Sequence, residues 1–313
     1  MRRALLLLLV GCSPEIADPT SLVAGPRLLA VSATPAEVRP GQPFTLTALD
    51  VGPAGAAVRP LEWSLCTERT PLTEPGPLAS ACLTDPMLPA LGAGATAKGT
   101  VPRDVCRTFG PDQPAPKPGQ PPGRPADPDP TGGYYLPVRV RIAGSDSAFG
   151  LRVLCNLGGA TPTQQADFDR AYTLNRSPVL DGLFLDDGAR LVPLETDPAA
   201  TNVLPASARI RLRAAWPACP SLAPEGCAGA ELYAWLDPVR RELIQRREAI
   251  RLSWFATAGA FEAARTGRGE AEANVADSAN FWTSPASGEV LLWVVVRDDR
   301  GGLGWSSYRL TVR

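Results

Sequence analysis

Thirty-four prolines spread over 313 residues set the first limit on how this chain can fold. Proline lacks the amide donor that helix interiors and central strands need, so regular structure between prolines must be short. With 29 glycines beside them, the pattern predicts short strands joined by many turns, an all-β fold. A hydrophobic fraction of 44% against 20% charged belongs to a globular chain, not a disordered one. The length accommodates two domains, each able to bury a core.

Strand signals recur in two groups. Leu28 to Thr34, Glu37 to Gln42 and Phe44 to Leu49 read as strand, Pro-Gly turn and strand, with period-2 alternation in the last. Leu61-Glu62-Trp63-Ser64-Leu65-Cys66 puts Leu61, Trp63 and Leu65 on one face, an aromatic strand fit to fill the space between two sheets. Tyr134 to Ile142 and Phe149 to Cys155 form a closing hairpin. Between these groups, Gly110 to Gly133 carries nine prolines, which favour extended polyproline II in a surface excursion.

The second group repeats this grammar. Val179 to Leu194 predicts one or two short strands about Asp186-Asp187-Gly188, and Ala208 to Trp216 alternates with its arginines outward. Ile250 to Phe255 carries Trp254 in the place of Trp63. Glu289 to Val296 and Ser306 to Val312 close the domain across Asp298-Asp299-Arg300-Gly301-Gly302. Pro238 to Ile250 holds helix formers without a clean apolar stripe, so at most a short helix is expected there.

Two domains, each with a tryptophan strand and a closing hairpin, resemble immunoglobulin-like or PKD-type β-sandwiches. The expected organisation is a first sandwich over 27–157 with the Pro-rich excursion at about 110–133, a linker over 158–177, and a second sandwich over 178–313. Arg124 to Tyr135, Trp254 to Gly259 and Arg297 to Gly302 further resemble surface lipoproteins of myxobacterial type, a resemblance that implies a class and no activity.

The N-terminus gives the address. Arg2-Arg3 followed by Ala4 to Val10 reads as a secretory signal over 1–11, too short to span a membrane at about 20 residues. Leu9-Val10-Gly11-Cys12 resembles the lipobox of bacterial lipoproteins, which implies cleavage before Cys12, lipidation of its thiol and a membrane partner through the lipid anchor. Ser13 in place of Asp implies, within that family, the outer membrane. Residues 12–26, with Pro14, Pro19 and Pro26, are expected to be a tether.

Cysteine count supports export separately. Beyond Cys12 six remain, an even number that suggests three disulfides. Cys219 and Cys227 flank a short turn-rich loop and are expected to pair. Cys66, Cys82, Cys106 and Cys155 allow three connectivities. The strand ends after Leu65 and Leu154 fall at one end of the first sandwich, which favours Cys66–Cys155 with Cys82–Cys106.

Charge and composition exclude several functions. Thirty-one basic and 32 acidic residues leave a net charge of −1, so no field attracts nucleic acid. Histidine is absent, which removes the Ser-His-Asp and Cys-His arrangements and the commonest metal ligand. No phosphate-cradling glycine loop, metal motif or cofactor motif is present. Lys98 and Lys117, the two lysines, sit in loop-like sequence unsuited to a Ser-Lys dyad. The carboxylate pairs Asp127 with Asp129, Asp186 with Asp187 and Asp298 with Asp299 lie beside Gly or Pro, where Asp caps turns.

The expectation is a non-catalytic envelope protein that serves structure or surface recognition of a protein or glycan partner. One alternative is a surface hydrolase using a carboxylate pair. Another is a carbohydrate-binding module, for which Trp282 and Trp305, flanked by turns, are the candidate exposed aromatics.

Overall fold

The computed structural model describes residues 20–313 except 57–58, 85–86, 112, 114–117, 120–122, 125–128, 198–199, 201, 220–225 and 273. The signal, the lipobox with Cys12, Lys117 and Asp127 lie outside the described residues, as do six of the nine prolines in the run 110–133.

The first sandwich contains β1 (Arg27–Thr34), β2 (Glu37–Val38), β3 (Pro43–Gly52), β4 (Gly55–Ala56) and β5 (Leu61–Leu65). It continues with α1 (Ser80–Thr84), β6 (Ala90–Ala93), β7 (Thr96–Thr100), α2 (Val105–Phe109), β8 (Gly133–Ile142) and β9 (Ser145–Leu154). One sheet places β3 between β1 and β7, with β4 on its far end; the other runs β2-β9-β8-β5-β6. The inward positions of each strand, among them Val31, Leu46, Trp63, Val138 and Leu151, make the core.

The second sandwich contains β10 (Gly182–Asp186), β11 (Leu191–Pro193), β12 (Asn202–Leu204), β13 (Arg209–Ala215), β14 (Leu232–Leu236) and β15 (Leu243–Arg247). After these come β16 (Ile250–Ala256), β17 (Ala260–Phe261), β18 (Arg265–Arg268), β19 (Asp277–Thr283), β20 (Gly288–Arg297) and β21 (Leu303–Val312). Its sheets run β11-β10-β13-β19-β17 and β12-β21-β20-β16-β18.

The strand order is the same in both: β1, β3 and β7 correspond to β10, β13 and β19, and β2-β9-β8-β5-β6 to β12-β21-β20-β16-β18. In each, the short second-sheet edge strand runs parallel to the last strand, β2 to β9 and β12 to β21. The chain is therefore an all-β protein of two immunoglobulin-like sandwiches. Trp63 and Trp254 occupy equivalent strands, both buried, and their indole N–H groups donate to Gly94 O (2.8 Å) and Thr266 Oγ1 (3.0 Å).

Several expectations change. The structure pairs Cys66 with Cys82 and Cys106 with Cys155, and closes Cys219–Cys227. The expected Cys66–Cys155 bridge fails on register. The Cys66 amide donates to Pro137 O, and Pro137 faces Gly150 across β8–β9, so Cys155 lies five residues further along and one strand over. At about 3.3 Å per residue that gap is far beyond the roughly 7 Å Cα reach of a disulfide.

Stretch 238–250 is not a helix. Asp237 Oδ1 accepts the amides of Val239 and Arg240, Arg241 takes a left-handed φ of 58°, and the chain returns as β15 against β14. The linker holds α3 (Pro162–Ala171), begun by Thr161 in a reciprocal capping box with Gln164. The described end of the expected tether is also ordered by contacts. Ala256 N–H donates to Ser21 O, Val23 N–H donates to Ala256 O, and the Val23 side chain is buried against the second sandwich.

Candidate functional site: the seam between the sandwiches

The two sandwiches pack broad face to broad face. β20 reads Val290-Leu291-Leu292-Trp293-Val294-Val295-Val296, apolar at every position because both its faces are covered. Leu292, Val294 and Val296 enter the second core, while Trp293 and Val295 join Ala30, Leu49 and Val51 from the outer face of β1–β3.

At one end the seam is closed by a buried polar network built from three parts of the chain. Glu37 on β2 is fully buried; its Oε1 accepts Arg152 Nε from β9 (2.8 Å) and its Oε2 accepts Tyr172 OH (2.8 Å) and Asn175 N (2.9 Å). Arg152 also donates to Asp129 Oδ2 (2.8 Å) and to Thr131 Oγ1. Arg300, in the turn between β20 and β21, donates to Glu248 Oε1 (2.7 Å), Glu231 Oε1, Tyr172 OH (3.1 Å) and Thr173 O (3.1 Å). The Tyr172 hydroxyl thus donates to the first sandwich and accepts from the second. Asp298 Oδ1 accepts the Arg300 and Gly302 amides, and its Oδ2 accepts Asn175 Nδ2.

Two glycines make room for this. A Cβ on Gly133 would sit 2.0 Å from the Arg152 guanidinium carbon, and one on Gly302 would sit 2.1 Å from Asp298 Oδ2. Around the network, α3 buries Phe168, stacked on Tyr172 at 4.6 Å, against Leu154, Leu157, Tyr233 and Leu236. Leu236 N–H donates to Pro130 O, fixing the β14–β15 hairpin to the first sandwich.

The network buries four carboxyls, Glu37, Glu231, Glu248 and Asp298, around two guanidiniums. Burial shows in the protonation of Glu231, Glu248 and Asp298. Burial lifts Glu248 well above the carboxylate range in spite of Arg300, raises Glu231 for the same reason, and pushes Asp298 up to about 6. Burial works against the charge on Arg152 and Arg300, yet the carboxylates and Tyr172 hold both firmly protonated.

Elsewhere the seam opens into a cleft of about 660 Å³. It lies at the edge of the apolar cluster, lined by Leu49 and Val51 of β3 and by Leu291 and Trp293 of β20. Asp50 is buried and pairs with Arg59, which donates Nε to Oδ2 at 2.9 Å and Nη2 to Oδ1. Asp50 is the single carboxylate among the described lining residues.

The predicted site residues fall as follows. Trp282 is 0% exposed and its indole donates to Ala258 O, so it is core and unavailable to a sugar ring. Its position on β19 opposite Ile210 directs it between the sheets. Trp305 is half-buried and packs into the cluster between the sandwiches. Asp129, Asp186 and Asp187 accept amides within their own turns. Asp298 does so too, but it also belongs to the seam. Among the described residues, no cluster of three or more His, Cys, Asp or Glu could hold a metal, and no helix is long and apolar enough to cross a membrane.

The seam's charged members carry no pattern in sequence, because Arg300 reaches Glu248 and Tyr172 across 52 and 128 residues. Two signals were available. The unbroken apolar run of β20 marks a strand covered on both faces, and Thr161-Pro162-Thr163-Gln164 marks a helix start.

No protein-family model matches the chain, and no curated protein matches it. Among solved structures, the fibronectin(III)-like modules of Clostridium thermocellum CbhA are 11% identical over 94% of this chain and 92% of that one, with a TM-score of 0.24. The Yersinia pseudotuberculosis adhesin InvE is 10% identical over 91% of this chain and 58% of its own, with a TM-score of 0.23. The D0-D1 domain of intimin is 10% identical over 91% and 96%, with a TM-score of 0.20. Scores this low carry no argument, and the fold rests on its own strand order.

Proposed function

We propose that this chain is a non-catalytic protein of the cell envelope, held by a lipid on Cys12 to the outer membrane, whose two sandwiches act as one body in envelope structure or surface recognition. The observation that supports this most directly is the division of the cysteines. Six close three disulfides, bonds that persist in oxidising compartments, and the seventh stands in the lipobox-like Leu9-Val10-Gly11-Cys12. The resemblance to surface lipoproteins of myxobacterial type belongs to the same reading. Partners are a protein or glycan met at the exposed turns, and not nucleic acid.

The distribution of carboxyls supports the non-catalytic part. Hydrolysis by two carboxylates needs both to reach a substrate. Glu231, Glu248 and Asp298 are sealed at 3%, 1% and 3% exposure. Asp299, which burial also raises, is exposed and accepts the Ala249 amide, but its neighbour in the pair, Asp298, is sealed. Among the described lining residues of the open cleft Asp50 is the one carboxylate, already paired.

Intact mass spectrometry of the protein taken from membranes, before and after reduction, tests the proposal. The expected species starts at Cys12, carries acyl mass, and gains about six protons on reduction. A water-soluble species with free thiols overturns it.

A further inference from the structure

We propose that the cleft between the sandwiches binds a small anionic amphiphile, a long-chain carboxylate with its apolar body between β3 and β20 and its head on Arg309. This inference does not depend on the anchor at Cys12.

The cleft is built rather than left over. It is about twice the volume of the second opening in the seam, about 340 Å³ between β1 and the β20–β21 turn. The cleft's apolar lining is large (Leu49, Val51, Leu291, Trp293), while its mouth is lined by Gly55, Ala56, Gly94 and Ala95, side chains too small to fill it. A volume of about 660 Å³ is within the roughly 300–1,000 Å³ of small-molecule sites.

Charge selects the head group. The charged lining residues among those described are Asp50, Arg59 and Arg309. Asp50 and Arg59 neutralise each other, which leaves the cleft with one positive charge. Arg309 is exposed, forms no ion pair among the described residues, and faces Leu291 directly across the β20–β21 ladder. Side chains opposite one another in a ladder share a face, so this guanidinium stands at the edge of the apolar wall. Its donor fork matches a carboxylate.

The test uses the full chain carrying Cys12→Ser, made under oxidising conditions and kept free of detergent. Titration calorimetry with dodecanoate is expected to show saturable binding at one molecule per chain. Dodecanol, of the same length without the charge, should bind about tenfold more weakly. Arg309→Ala should weaken dodecanoate by about the same factor and leave dodecanol unchanged. Ala56→Trp, at the exposed mouth, should abolish both while the thermal transition stays in place.

Absence of saturable dodecanoate binding overturns the proposal, as does equal affinity for acid and alcohol or indifference to Arg309→Ala. Preference for dodecyl phosphate with rejection of dodecanoate overturns the head assignment. A dimer in light scattering that Ala56→Trp dissociates assigns the cleft to a second copy and overturns it as well.

Discussion

The two sandwiches share strand order, a buried tryptophan on the equivalent strand, and a parallel edge pairing; they differ in where the chain leaves the sheets. The first inserts between β5 and β6 and between β7 and β8, and each excursion is pinned by its own disulfide, Cys66–Cys82 and Cys106–Cys155. The second inserts between β13 and β16, the stretch that holds Cys219–Cys227 and the β14–β15 hairpin. The sheets supply the apolar face on which the domains meet, and the insertions add contacts that close one end of it. Pro130 and Thr131 come from one insertion, and Glu231, Leu236 and Glu248 from the other; all of them reach the seam.

If the sandwiches form one cooperative unit, damage to either core lowers a single transition. Trp63→Ala and Trp254→Ala should each cost about 3–5 kcal/mol. Calorimetry showing two separate transitions in either variant would break the picture of a fused body.

The disulfides sharpen the asymmetry. Replacing Cys106 and Cys155 with Ala opens a loop of separation 49 and should cost about 4 kcal/mol in the chain-entropy model. The corresponding change at Cys219 and Cys227, with separation 8, should cost about 2.5 kcal/mol. Equal losses in denaturant titrations would mean that loop length is not what these bridges restrain.

Arg300 is the test of the seam itself. Arg300→Met leaves Glu231 and Glu248 buried without their cation and should cost about 3 kcal/mol near neutral pH. The loss should shrink as pH falls and those carboxyls protonate; a pH-independent loss argues against the charge network.

Asp298 gives a smaller effect of definite sign. Its pKa is raised to about 6 in the folded chain against roughly 3.9 unfolded, so the folded state holds the proton more tightly. The resulting stabilisation is complete below about pH 4 and is lost as pH rises through about 6. Asp298→Asn should flatten the stability curve between those values, and an unaltered curve would remove Asp298 from the account. The smallest change is expected at Arg209, whose pair with Glu262 is exposed on both sides. Arg209→Ala should move stability by under about 1 kcal/mol.

What was legible in sequence follows the range of the interactions. Alternation along β3 and β13 and the Trp63 and Trp254 strands are local patterns, and they predicted the sandwiches. Asp186-Asp187-Gly188 sits in the turn where its chemistry places it. The disulfide pairing was misread because strand ends were placed without register, and five residues along β9 separate Cys155 from the level of Cys66. Trp282 was misread because neighbouring turns suggested exposure, while its place on β19 points it inward. The seam was least legible, since Glu37, Tyr172, Glu248 and Arg300 meet only after both sheets have formed.

The double-sided burial of β20 has a consequence for order in time. Synthesis runs from the N-terminus, and domains fold as units as they emerge. Residues 288–312 follow every element of the first sandwich, yet they supply the layer on which it rests. Until they arrive, Ala30, Leu49 and Val51 lie open on a finished domain. From the close of the first sandwich at Leu154 until β20 begins at Gly288 that patch stays uncovered, and a truncation that loses β20 and β21 would leave an intact first sandwich with an adhesive side.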